Sequence, residues 1–218
     1  MKILLINPKF PNSFWSFQGL DGLVQNYAHA PLGLATVAAL TPRDIQVQIV
    51  DENIETISLE TDADVVGFTA FNVQIRRAVE LSQEFRKRGK KVVLGGPYVS
   101  LIPEHFEPLF DAIFVGEAEH IWPQFCRDLQ AGSIKTRYDE PDKIDMSKSP
   151  IPRYELLKNE RYNAYYLQTS RGCPFTCEFC DIIITNGRVP RTKDLDQVLA
   201  EVESVRQLGG TSITFSDA

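Results

Sequence analysis

Residues 64–97 read DVVGFTAFNVQIRRAVELSQEFRKRGKKVVLGGP, and their order decides the fold. DVVGFTAFN is a strand-sized apolar run, and VVLGGP is another. Between them the spacing predicts an amphipathic helix from Ile75 to Arg88, stopped by Gly89. The basic run Arg86-Lys87-Arg88-Gly89-Lys90-Lys91 suits the negative end of that helix dipole, so it reads as a solvated helix end and not as a nucleic-acid patch. A strand, a crossover helix and a second strand call for a parallel sheet with both faces covered.

The same alternation extends to either side. ILLINP opens the chain, PLGLATVAAL follows as a helix with Pro31 at its start, and VQIVDEN is the next strand. DAIFVGEAE is a fifth strand, followed by a helix from about Glu119 to Leu129 that closes near Gly132. Five strands with intervening helices over residues 1–130 describe a doubly wound, Rossmann-like α/β domain. Ligands of such sheets sit at the carboxyl ends of the strands, here Asn7-Pro8-Lys9, Asp51-Glu52-Asn53, Thr69-Ala70-Phe71, Gly95-Gly96-Pro97 and Gly116-Glu117. Glycine there allows close approach of a large ligand, and it is equally ordinary turn chemistry. No GxGxxG follows the first strand, so a dinucleotide fingerprint is absent.

Residues 131–160 turn to charge and proline and read as a linker wrapping the surface. YNAYYLQTS then leads as a strand into Cys173-Pro174-Phe175-Thr176-Cys177-Glu178-Phe179-Cys180, which holds three of the four cysteines in eight residues. From Asp194 to Leu208, Leu195, Val198, Leu199, Val202 and Val205 recur at helical spacing, and TSITFSDA is a second strand. Residues 161–218 therefore start a β-loop-α-β unit without room to finish it, leaving strand edges and an apolar helix face uncovered.

Bulk properties narrow the function. The 218 residues, 43% of them hydrophobic, suffice for a buried core. A net charge of −6 opposes generic attraction to phosphate backbones, so no nucleic-acid partner is expected. The apolar runs fall short of the ~20 residues of a membrane span. Charge and proline interrupt the first segment before it could act as a secretory signal. Clustered cysteines argue against a disulfide framework, and a cytoplasmic, reduced location is expected.

Three close thiols pose a choice. A closed zinc site needs four ligands, and Cys126, His29, His105 and His120 lie elsewhere without partner spacing; the histidines read as ordinary, partly exposed side chains. A redox pair at Cys177 and Cys180 would leave Cys173 superfluous. A four-iron cluster held by three thiolates keeps one iron open for chemistry. The residues favour the cluster, with zinc and a redox pair as alternatives.

CxxxCxxC with Phe179 before the last cysteine resembles the cluster loop of the radical S-adenosylmethionine superfamily. The resemblance implies that Cys173, Cys177 and Cys180 hold a 4Fe-4S cluster, whose open iron chelates S-adenosyl-L-methionine and cleaves it to a 5′-deoxyadenosyl radical. It also implies that Phe179 flanks the adenine and that Asp217 belongs to the cofactor-facing turn of the second barrel strand. The front domain, PIPRYELL, SRGCPFTCEFCD, GRVPRTK and NPKFPNSFWSF together resemble cobalamin-binding members, in particular the hopanoid-methylase branch. That branch implies a corrinoid lined by Thr69, Gly95, Gly96, Pro97, Gly116 and Glu117. It further implies methylation of an unactivated carbon of a small-molecule or lipid-like substrate, with an electron donor such as flavodoxin or ferredoxin. Non-catalytic corrinoid binding and non-methylating radical chemistry are the alternatives. The DxHxxG cobalt-ligating loop of methionine synthase is replaced by Asn7-Pro8-Lys9-Phe10, and the chain is expected to be truncated within the barrel. Phe10, Phe14, Trp15 and Phe17 read as packing over the sheet edge, or as a shield for a corrinoid or lipid-like substrate.

Overall fold

The computed structural model describes residues 1–11 and 30–217; Phe14, Trp15, Phe17 and His29 lie outside them. A parallel sheet forms from β1 (Lys2–Asn7), β2 (Gln46–Asp51), β3 (Val65–Thr69), β4 (Lys91–Gly95), β5 (Ala112–Val115) and β6 (Arg137–Asp139), in the order β2-β1-β3-β4-β5-β6. The order reverses between β1 and β3, and this switch point opens a crevice beyond the carboxyl ends of the strands. Register follows the apolar pattern, with Ile3 opposite Val65 and Val65 opposite Lys91.

Alternation along each strand builds two cores. Ile3 and Leu5 of β1 face α1 (Leu32–Leu40) and α4 (Ala118–Gln130), where Ala35, Trp122 and Phe125 are buried. Leu4 and Ile6 face α2 (Ile75–Lys87), whose Ala78, Leu81 and Phe85 are buried, and α3 (Pro97–Leu101) with Val99. Strands covered on both faces account for runs such as VVGF, in which every residue is buried. The indole Nε1 of Trp122 donates to Thr41 Oγ1 at 2.8 Å, tying α4 to the end of α1.

One difference from expectation stands out. The stretch read as a linker supplies a sixth strand, because Arg137-Tyr138-Asp139 pairs with Ile113-Phe114-Val115 and buries Tyr138 against Phe114 in a stacked contact. Three residues, two of them charged, are too short and too polar to show a strand period. The apolar face of α6 (Leu195–Gln207) was expected to be left uncovered. Val205 and Glu201 are buried, while Leu195 and Leu199 are 71% and 54% exposed. Glu201 is paired with Lys193, which explains how a carboxylate is accommodated there.

The remaining elements carry the cysteine loop. β7 (Tyr165–Leu167) pairs in parallel with β10 (Ile213–Phe215) across α6, as the β-loop-α-β reading expects. β8 (Ser170–Arg171) pairs antiparallel with β9 (Arg191–Thr192), closing the base of the loop, which also contains α5 (Ile182–Thr185). Tyr154 and Leu167 join the α1/α4 core, so this part packs directly on the sheet domain.

Gly96 and Gly33 test the backbone argument. Gly96 has φ +112°, and an added Cβ would lie 2.9 Å from both N and O of Ala70; Gly96→Ala is expected to destabilise the fold by about 1–3 kcal/mol. Gly33, in α1 with open space around it, should tolerate Gly33→Ala with a gain of about 0.5 kcal/mol. Urea unfolding midpoints of the two variants check both signs.

Candidate functional site

A cleft of about 760 Å³ lies at the carboxyl edge of the sheet, within the size class of small-molecule pockets. Its floor is apolar, with Leu5, Gly67, Val93, Phe114 and Trp122, and Gly33 and Thr36 of α1 form one wall. Phe10 and Phe71 stand at the mouth with ring centroids 6.3 Å apart. Tyr166, Gln168 and Arg171 close the side toward the cysteine loop. Thr69, Gly95, Gly96, Pro97, Gly116 and Glu117 all line this one cleft.

The two positive-φ glycines serve the turns more than a ligand. A Cβ on Gly96 would meet Ala70, and one on Gly116 (φ +94°) would lie 2.8 Å from the carbonyl oxygen of Glu140. The space that a side chain would fill is occupied by protein backbone at both positions.

Buried polar side chains fix the strand ends. Asp51 Oδ1 accepts from Asn53 N at 2.9 Å, Asn53 Nδ2 at 2.6 Å and Asn7 Nδ2 at 3.1 Å, and Tyr162 Oη donates to its Oδ2 at 2.9 Å. Burial still raises the Asp51 carboxyl above its ordinary value. Gln74, fully buried, donates to Asn7 Oδ1 at 2.9 Å and to the carbonyl of Pro8 at 2.6 Å, which locks the β1 loop to the β3 loop at the switch point.

Glu117 holds the other side. It precedes α4, and Glu119 occupies the first turn, where the helix dipole favours carboxylates. Arg191 donates to Glu117 through Nη1 at 2.8 Å and Nη2 at 2.8 Å, and the amide of Ile144 adds a bond at 2.8 Å. Arg171 reaches Glu117 at 3.3 Å and Glu119 at 2.9 Å, while Ser149 donates to Glu119 at 3.1 Å. Burial pushes the Glu117 carboxyl up, but the Arg191 and Ile144 hydrogen bonds and the Arg171 charge outweigh it, so the group sits below its ordinary value. The sequence reading placed Glu117 at the cleft without its partners. Arg171, Arg191 and Glu119 were missed, although two arginines flanking the cysteine loop and the paired acids of GEAE were visible.

The three loop cysteines are free thiols, with Cys177 exposed and Cys173 and Cys180 half-buried. Cys173 N donates to the Gly187 carbonyl at 3.0 Å, and Cys180 N to the Cys177 carbonyl at 3.2 Å. Among the described residues no three His, Cys, Asp or Glu side chains converge closely enough to hold a metal ion. The chemistry of the donor set fits an iron–sulfur cluster: three accessible thiols within eight residues. Cys126 is buried in the core, where burial pushes its thiol up to about 12, and it is no candidate for a fourth ligand. His120 pairs with Glu140 at 2.8 Å, and neither it nor His105 lines the cleft. Phe179 is 93% exposed. Asp217 accepts from Thr169 N at 2.6 Å, Ser170 N at 2.8 Å and the Thr169 hydroxyl at 2.6 Å, so it ties the end of β10 to the turn before the cysteine loop.

Residues 22–125 match the family model of the B12 binding domain. An uncharacterized methyltransferase of Synechocystis is 38% identical over 99% of this chain and 41% of its own length. The hopanoid C-2 methylase of Rhodopseudomonas palustris is 32% identical over 95% of the chain and 41% of its length, and the bacteriochlorophyllide d C-8(2)-methyltransferase of Chlorobaculum tepidum is 33% identical over 82% and 41%. The chain thus spans about two fifths of the length of these relatives. Among solved structures, the radical S-adenosylmethionine methyltransferase TsrM of Kitasatospora setae, with cobalamin and a [4Fe-4S] cluster, shares the fold at a TM-score of 0.72 and 19% identity, over all of this chain and 49% of that one.

Removing one partner from a buried ion pair leaves an uncompensated charge, so Glu117→Ala is expected to lower stability by about 3–5 kcal/mol at neutral pH. Because the folded carboxyl sits below its ordinary value, its contribution is full above the ordinary carboxylate range and is lost as pH falls through the folded value. Chemical denaturation from pH 7 into that acid range should show a shallower decline for Glu117→Gln than for the wild type.

Proposed function

We propose that the chain, whose residues 22–125 match the B12 binding domain, belongs to the cobalamin-binding radical S-adenosylmethionine proteins and is the part of a methyltransferase that holds a corrinoid in the sheet-edge cleft and a four-iron cluster on Cys173, Cys177 and Cys180. The observation that carries this reading is spatial: one cleft collects Thr69, Gly95, Gly96, Pro97, Gly116 and Glu117, and Arg171, two residues before Cys173, lines the same cleft. A corrinoid supplies a methyl group and a cluster with S-adenosyl-L-methionine supplies radical chemistry, while the protein binds, orients and excludes water.

In this reading Leu5, Val93, Phe114 and Trp122 would offer a corrinoid an apolar lining, and Phe10 and Phe71 would exclude water at the mouth of the cleft. Among the described residues no histidine lines the cleft, so none of these supplies a cobalt ligand. Phe179 would turn onto the adenine of S-adenosyl-L-methionine, and Asp217 would hold the neighbouring turn through its two amide contacts. Residues 1–130 would form the corrinoid unit, 131–160 the connector that also contributes β6, and 161–218 the start of the barrel. The names of the hopanoid and bacteriochlorophyllide relatives support a lipid-like or small-molecule substrate methylated at carbon. A flavodoxin or ferredoxin would deliver the electron, and a reducing cytoplasm would keep the four thiols free. No helix among the described residues is long and apolar enough to cross a membrane.

Two measurements on the purified chain test the reading. Hydroxocobalamin should change its visible spectrum on saturable binding, and anaerobic treatment with iron and sulfide should give brown protein approaching about four irons per chain. Cys177→Ala should reduce the iron to a minor fraction. Stoichiometric zinc in place of iron, or an unchanged corrinoid spectrum, would contradict the reading.

A further inference from the structure

Glu117 belongs to two places at once. Its turn lines the cleft, while its carboxylate binds the arginines that bracket the cysteine loop. Arg171 and Arg191 face each other across the β8–β9 ladder, so both strands leaving the loop are held by the same buried acid, Glu117, with Glu119 added on Arg171. Arg191 Nη2 also donates to the carbonyl of Asn186 at 2.9 Å, and Cys173 N bonds to Gly187 next to it. Ile144 gives its amide to Glu117, and its carbonyl accepts from Arg191 at 2.6 Å. Its neighbour Lys143 donates to the carbonyl of Thr185 at 2.6 Å, at the end of α5. The feet of the loop are therefore gripped, whereas its crown is open: Phe175 is 70% exposed and Phe179 93%.

From this arrangement we infer that Glu117, Glu119, Arg171 and Arg191 form a positioning clasp that makes filling of the cleft and filling of the cysteine loop mutually favourable. The inference rests on the corrinoid and cluster reading above and adds their linkage. A ligand in the cleft that steadies the Gly116–Glu117 turn also steadies both guanidinium groups, and through them the feet of the loop. Ordering already done by one ligand is not required of the second, which produces positive coupling without a large movement. Coupling of this kind is reciprocal, so a filled loop must tighten the cleft by the same factor. A purely structural ion cluster would stabilise the fold and leave the two sites independent.

The test is the ratio of apparent hydroxocobalamin dissociation constants, read by visible absorption, for the iron-free and the iron–sulfide-loaded chain. The clasp predicts binding about fivefold or more tighter in the loaded wild type. Arg191→Lys keeps the charge but loses the two-pronged grip on Glu117, and its ratio should fall below about twofold. Glu119→Gln removes a counter-charge of Arg171 and should move the ratio the same way, an independent result if Arg191→Lys fails to fold. A wild-type ratio near one, with both cofactors bound, overturns the clasp and leaves the functional reading intact, and it decides the matter even if neither variant folds. Variants that keep the wild-type ratio also overturn it. Failure of the wild type to take up one cofactor in the single titrations overturns the functional reading, and the clasp falls with it.

Discussion

Two buried carboxylates facing two guanidinium groups hold this molecule's parts together. Glu117 and Glu119 start α4 on the sheet domain, and Arg171 and Arg191 come from strands on either side of the cysteine loop. The side chains are at most 15% exposed, so each charge depends on its partners for the solvation it has lost. The balance of two negative and two positive charges makes such a cluster tolerable away from water. It also makes it demanding in geometry, because any displacement leaves a charge unpaired. Asp51, with its bonds from Asn7 and Tyr162, is a single buried carboxyl that joins β1, β2 and the segment before β7.

The cleft follows from topology. Reversal of strand order between β1 and β3 parts the connecting loops, and helices on both faces leave the carboxyl edge as the open side. The cysteine-loop segment settles over that edge because Tyr154, Tyr162 and Leu167 join the same apolar core as α1 and α4. Hydrophobic packing brings the two parts together, and the ion cluster determines their register. A site with an apolar floor, aromatic mouth and polar rim suits a large cofactor that must be oriented and kept from water.

The parallel sheet was legible because its strands carry continuous apolar runs and α2 carries a clean helical period, from Ala78 through Leu81 to Phe85. β6 was not legible, since Arg137-Tyr138-Asp139 is a strand only because β5 offers it an edge. The apolar spacing in α6 was legible as a helix with an uncovered face, where Leu195 and Leu199 are exposed; the inward turn of Glu201 to Lys193 was not legible. At the site, turn chemistry located Thr69, Gly95, Gly96 and Gly116 at the cleft. It could not reveal that Gly96 and Gly116 are required by neighbouring backbone, which belongs to residues distant in sequence. Arg171 and Arg191 were hidden for the same reason. An arginine announces its charge in the sequence, but the acid that receives it lies 54 to 74 residues away.

Hydrogen–deuterium exchange of the chain with and without hydroxocobalamin addresses the claim that the cleft and the cysteine loop are one physical unit. Protection is expected at the loops beginning at Thr69, Gly95 and Gly116, and also across residues 168–191, which include the loop and the two arginines. Protection confined to other surfaces, or confined to the strand-end loops with residues 168–191 exchanging as before, would contradict it.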